Sequence, residues 1–228
     1  MGEKKQKEEL KKKVYQVFII GACVLFVVLM ILSGMGSHWL TMFTVIKPGD
    51  TVVIDYTIYD AAGDPVMTSS QQAYTRAAEK GRDIIISRQL SMTAGRNLTS
   101  TIFPVMIYTS TGGWTTQYAL FSSEYDAINQ QLVGMRTGDQ KRIAIPNSSI
   151  EQEWSAAQLA NNSVNISELR TGEFFALGVS DDPYGMMRNN STTYTRVGEI
   201  TRRTNESIVV DLGYPTVDIS IVSINAKT

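Results

Sequence analysis

Seven of the ten asparagines open an Asn-x-Ser/Thr triplet: Asn97, Asn147, Asn161, Asn165, Asn189, Asn190 and Asn205. Such a carboxamide is an acceptor for N-linked glycan on an exposed loop of an exported protein. Ser and Thr make up about 18% of the 228 residues, so chance would supply roughly two such triplets. Other chemistry-bearing side chains are few. One histidine, His38, and one cysteine, Cys23, leave no zinc set and no Ser-His-Asp or Cys-His centre to assemble. A single cysteine also forbids an intrachain disulfide. The DDPYG segment at 181–185 sets two carboxylates side by side without further oxygen-ligand spacing, which reads as a turn and not a Ca²⁺ loop. The sequence calls for no metal and no cofactor.

All seven triplets lie on one side of a long apolar run. From residue 14 to residue 46 there is no Asp, Glu, Lys or Arg. A helix over residues 14–36 would reach about 34 Å at ~1.5 Å per residue, enough for a hydrocarbon core of ~30 Å. Tyr15 and Trp39 stand near its ends, where amphipathic aromatics belong. Residues 1–13 hold six Lys and three Glu, and the next basic residue after the run is Lys47. The positive-inside rule then places residues 1–13 in the cytoplasm and the rest, beyond a connector at 37–47, outside a cell membrane. The run exceeds a signal-peptide core of 7–15 residues, so an uncleaved single-pass anchor is expected, although SGMGS at 33–37 has the composition of a cleavage site. Net charge is −1 overall, and the tail's +3 leaves −4 for the remainder, which excludes the basic field that nucleic acid requires. Glycan acceptors without disulfides suit an archaeal surface better than a eukaryotic one.

The elements beyond the anchor are mostly strands. TVVIDYTIY at 51–59 is β-branched and aromatic, and DAAGDP at 60–65 is a hairpin turn. Residues 68–82 read as a short helix or a loop. IIIS, IFPVMIYTS and WTTQYALF follow from residues 84, 102 and 114, the last two joined through Thr111-Gly112-Gly113 as a hairpin. SSEYDAINQQLVGM spaces Ile128 and Leu132 as i and i+4, with Ser122 or Ser123 to cap it and Gly134 to end it. KRIAIP at 141–146 is a strand and IEQEWSAAQLA at 150–160 a second short helix. Four more strand-like runs close the chain, ending in VDISIVSI at 217–224.

IKPGDTVVIDYTIYDAAGDPV at 46–66 resembles the opening of the FKBP-type prolyl isomerase domain. AINQQLVGMRTGDQKRIAIP at 127–146 is similar to that family's short helix, Gly-Met turn and following strand, and VDISIVSI looks like its last strand. RVGEITRRTNESIVVDLGYP at 196–215 resembles the end of the chaperone-like insertion carried by the two-domain branch. Gly213-Tyr214-Pro215 stands where the family has an Asn-His-Pro-Leu-Ala-Gly stretch. The matching segments cover roughly 70 residues. The resemblance implies an α+β fold, mostly antiparallel β, with a half-barrel around a short helix formed by residues 48–150 and 216–228. It also implies a β-rich flap insertion at 151–215.

It implies a site as well. Rotation about an X-Pro bond faces a barrier of ~18–20 kcal/mol. A dry aromatic pocket lowers that barrier without nucleophile or acid-base pair. Carried over by position, the pocket is Tyr56, Val66, Met67, Tyr125, Ile128 and Val217. Tyr56 is retained, whereas Val66-Met67 stand where the family has Phe-Asp, Ile128 where it has an aromatic or Leu, and Val217 where it has Phe. The segment between Met67 and Tyr125 is longer than the family's, and its two added strands are placed to fill or cover the pocket. Trp114, Tyr118 and Phe121 either replace the lost aromatics or pack as core. Three functions stand open at this point. One is a membrane-tethered isomerase or folding chaperone acting on exported or surface polypeptides. Another is a catalytically inactive module of the same fold serving a membrane or cell-surface complex. The third is an unrelated extracellular β-sandwich adhesin. The lipid bilayer is an expected partner in the first two.

Overall fold

The structure, a computed structural model, describes residues 15, 17–30, 44–181 and 192–225. It falls into two compact units, Met1–Thr44 and Val45–Thr228. In the first unit residues 17–30 are helical and every one of those side chains is exposed. Among the described residues no helix is long and apolar enough to cross a membrane. The expected span at 14–36 lies partly outside the described residues, as do His38 and Trp39 of the connector.

The second unit is α+β and mostly strand. Its first sheet contains β1 (Thr51–Tyr59), β2 (Pro65–Thr68), β3 (Ile85–Ile86), β4 (Leu90–Thr93), β7 (Gln140–Ala144) and β12 (Thr216–Ile224). The order is β3-β2-β1-β12-β7, with β4 pairing the opening half of β1. Every pair is antiparallel except β2 with β3. Period-two alternation sends Val52, Ile54, Tyr56 and Ile58 of β1 to one face, joined there by Val217, Ile219 and Ile221 of β12. The β1–β2 turn is fixed by the Asp60 carboxylate, which accepts the Asp64 N–H at 2.7 Å, and by Gly63 at φ +83°. Residues 68–82, open between helix and loop in the sequence, contain α1 (Gln71–Glu79), whose first turn Ser70 caps.

The sheet curls into a half-barrel whose concave face receives α2 (Ser122–Leu132) through Tyr125, Ile128 and Leu132. The expected serine cap is not made. Phe121 holds the cap position, and Glu124 reaches back to accept its N–H at 2.9 Å. Gly134, at φ +90°, ends the segment as expected.

The second sheet runs β5 (Ile102–Thr109), β6 (Gly113–Phe121), β10 (Tyr194–Arg203), β11 (Ser207–Asp211), β8 (Glu151–Ser155), with β9 (Phe174–Val179) also on β10. It is antiparallel apart from a single parallel bridge, Thr195 with Tyr118. It thus takes in residues 102–121 as well as the region after 150. The helix expected at 150–160 is half strand: Glu151–Ser155 pair with β11, and only α3 (Ala156–Asn161) is helical. Ser155 and Gln158 form a capping box at the switch, so a strong local start signal operates five residues later than the apolar pattern suggests. Two cores result, one between the half-barrel, α2 and the β5–β6 hairpin, the other on the second sheet beneath Leu159 of α3.

Candidate functional site

The six positions carried over from the resemblance do meet in space. Tyr56 from β1, Val66 and Met67 from β2, Tyr125 and Ile128 from α2, and Val217 from β12 belong to one apolar cluster. They are not open to solvent, with exposures between 0 and 7%. The β5–β6 hairpin fills the space they surround. Val105, Ile107, Tyr118 and Leu120 are buried in the same cluster, and Phe103 lies against Tyr125 with ring centroids 4.9 Å apart. Ile107 bridges Ser87, and Arg88 donates its N–H to Met106 O at 2.9 Å, which sews the hairpin to the sheet. Burying an aliphatic side chain contributes about 1.5–3 kcal/mol, so several on one hairpin make a stable plug. The Tyr56 and Ser87 hydroxyls are buried near each other, and burial pushes the Tyr56 phenol pKa up. Of the three aromatics on β6, Tyr118 is core, Phe121 is half-buried against the second core, and Trp114 is largely exposed.

Beneath the hairpin lies a site that the sequence reading did not single out. Arg196 of β10 is 0% exposed and Glu124 of α2 is 2% exposed. The guanidinium donates to both Glu124 oxygens at 2.5 and 3.0 Å, to Leu212 O at 2.8 Å and to Ala119 O at 2.8 Å. The Phe121, Tyr214 and Tyr118 rings surround it, with centroids 4.4, 4.5 and 5.5 Å away. Burial, the largest single influence, disfavours the charge, but the Glu124 carboxylate together with the Tyr118 and Tyr214 side chains outweighs it and the Arg196 pKa is raised. Burial raises the Tyr118 and Tyr214 phenols. This closed ion pair joins β10 to α2, so its effect is to fix the second sheet against α2. The one available signal was Arg196 itself, a charged residue on the inward parity it shares with Gly198 and Ile200.

The convex face of the first sheet carries an open cleft of about 550 Å³ against α1. Asp55, Tyr59, Arg76, Arg142, Asp218 and Ser220 are among its lining residues. Arg142 grips Asp218 with two hydrogen bonds of 2.6 and 2.7 Å, Tyr59 donates to the same carboxylate at 3.0 Å, and the guanidinium lies 4.9 Å from the Tyr59 ring. Those bonds from Arg142 hold the Asp218 carboxyl below the usual range, while burial and the Asp218 contact raise the Tyr59 phenol.

Five of the acceptor asparagines, Asn97, Asn147, Asn161, Asn165 and Asn205, are exposed. Asn189 and Asn190 lie outside the described residues. None of the five is on a strand of the first sheet. Asp181 accepts a hydrogen bond from the Thr101 hydroxyl, and the rest of the DDPYG segment is outside the described residues. No group of three or more His, Cys, Asp and Glu side chains placed to hold a metal ion occurs among the described residues. No protein-family model matches the chain, and no curated protein matches it.

Proposed function

We propose that the chain is a membrane-tethered, outward-facing module of FKBP-like build that has exchanged the isomerase pocket for a structural or binding role at the cell surface. The observation that carries this reading is the plugged concave face. All six pocket positions are buried, in one cluster with Val105, Ile107, Tyr118 and Leu120 of the β5–β6 hairpin, which supports loss of the seat for an X-Pro bond. The family likeness is supported by the half-barrel sheet that wraps α2. Tethering is supported by the apolar helix at 17–30, whose side chains are uncovered, and by the lysine-rich residues before it. Outward orientation is supported by acceptor triplets on exposed positions beyond it.

The test is isomerase assay of the unit from residue 45 to 228, on an Ala-x-Pro-Phe type peptide and on a proline-limited refolding reaction. Uncatalysed isomerisation takes tens of seconds at 25 °C. The expected result is no acceleration in either assay. Acceleration that saturates with substrate would return the tethered isomerase or chaperone reading to first place.

A further inference from the structure

The two sheets of the second unit end in strands of opposite charge. β7 ends the first sheet and carries Lys141 and Arg142; β8 ends the second and carries Glu151 and Glu153. Hydrogen-bond direction alternates residue by residue along an antiparallel strand. Around β7, Ile145 donates to Pro215 O at 2.8 Å and Ile221 donates to Asp139 O at 2.9 Å, so the odd-numbered residues face β12. Gln140, Arg142 and Ala144 therefore present both backbone groups to the open side. Around β8, Leu212 donates to Ile150 O at 2.9 Å and Ala156 to Glu206 O at 2.7 Å, so the even-numbered residues face β11 and Glu151 and Glu153 turn outward.

We infer that copies of this chain join edge to edge, the β7 edge of one adding to the β8 edge of the next. In an antiparallel ladder, outward-bonding residues sit opposite outward-bonding residues. Two central registers follow, and each puts Arg142 opposite a glutamate. Arg142 faces Glu151, with Gln140 facing Glu153, or Arg142 faces Glu153, with Ala144 facing Glu151. Both glutamates are exposed. Charge on an end strand ordinarily deters indiscriminate pairing; opposite charge on two different edges admits one pairing and repels self-pairing of either. The contact is heterologous, so each copy keeps one free edge of each kind and the assembly is an open row, not a closed dimer. Confinement to a membrane raises the effective concentration of a short ladder that would be weak in free solution. The inference rests on the reading of the chain as an outward-facing structural module.

Disulfide trapping of the full chain in its membrane tests it. Cys23→Ser removes the native thiol, and Asn147→Gln removes the acceptor lying between the two edges. Into that background go Gln140→Cys with Glu153→Cys for one register, and Ala144→Cys with Glu151→Cys for the other. Facing Cα atoms in such a ladder lie about 4.5–5.5 Å apart, within disulfide reach. The expected result is a ladder of dimers, trimers and higher species from one pair, at least tenfold above the single-cysteine controls. Arg142→Glu should abolish the ladder of the Gln140/Glu153 pair, and Glu151→Lys should restore it. Only dimers or monomers from both pairs, or a ladder indifferent to these charge changes, overturns the inference. Either result is separable from the functional reading, because isomerase assay reports on the plugged pocket whether or not rows form.

Discussion

Replacing Arg196 by Met should be the most damaging single change in the second unit. The substitution keeps much of the side-chain volume among the Tyr118, Phe121 and Tyr214 rings and removes the charge. It leaves the Glu124 carboxyl buried, with both oxygens stripped of their guanidinium partners, and removes the donors to Leu212 O and Ala119 O. Removing one member of a buried ion pair costs about 3–5 kcal/mol. Against a typical domain stability of about 5–15 kcal/mol, that is about a fifth of the total or more. Changing both partners, Arg196→Met with Glu124→Met, removes the stranded carboxyl; the Leu212 and Ala119 carbonyls are short of a donor in both variants, and the double variant adds only a Phe121 N–H without its acceptor, at about 1–3 kcal/mol. The double variant should therefore be more stable than the single one. Urea denaturation of residues 45–228, followed by tryptophan fluorescence, reads both differences. A single variant within 1 kcal/mol of the native protein would refute the reasoning, as would a double variant no better than the single.

Two further outcomes concern backbone and surface. Gly213→Ala should destabilise by about 1–3 kcal/mol in the same denaturation, because a Cβ there would land on the Ser148 carbonyl oxygen and the two backbone segments must separate. Asp218→Asn should cost about 0.3–1 kcal/mol near pH 7, since the Arg142 pair is solvent-exposed. The folded-state pKa of Asp218 is depressed, so its contribution is present above the unfolded value near 4 and is lost as pH falls through the folded value. The stability gap between native and Asp218→Asn protein should stay constant from pH 7 to 5 and close below about pH 4.

The strands that open and close the first sheet were legible because each repeats an inward apolar residue at period two, and the Asp60–Pro65 turn because its residues suit no other conformation. The short helix at 122–132 was legible from Ile128, Leu132 and Gly134. Where the reading slipped, tertiary context decided. Glu151–Ser155 has helix-compatible residues, yet an available edge on β11 claims them. Ser122 is a good cap by type, but Glu124 occupies that task from inside the helix. The six positions carried over from the resemblance lie in one apolar cluster, which also holds a hairpin whose destination no local pattern encodes. IFPVMIYTS and WTTQYALF announce strands; only the fold shows that Val105, Ile107, Tyr118 and Leu120 enter the half-barrel. The Arg196–Glu124 pair was illegible for the same reason, since 72 residues separate its members.

Thiol labelling at Met67 tests the plugged pocket most directly. Met67 is one of the six positions and is 0% exposed, whereas Tyr108, on the hairpin that packs in the same cluster, is 52% exposed. In a Cys23→Ser background, Met67→Cys and Tyr108→Cys are each reacted with a small thiol reagent under native conditions. A filled pocket requires an opening of at least about 4 kcal/mol before Met67→Cys can react, so its rate should fall at least 10³-fold below that of Tyr108→Cys. Rates within tenfold of each other would mean an open cleft beside Tyr56 and Ile128, and would contradict the account.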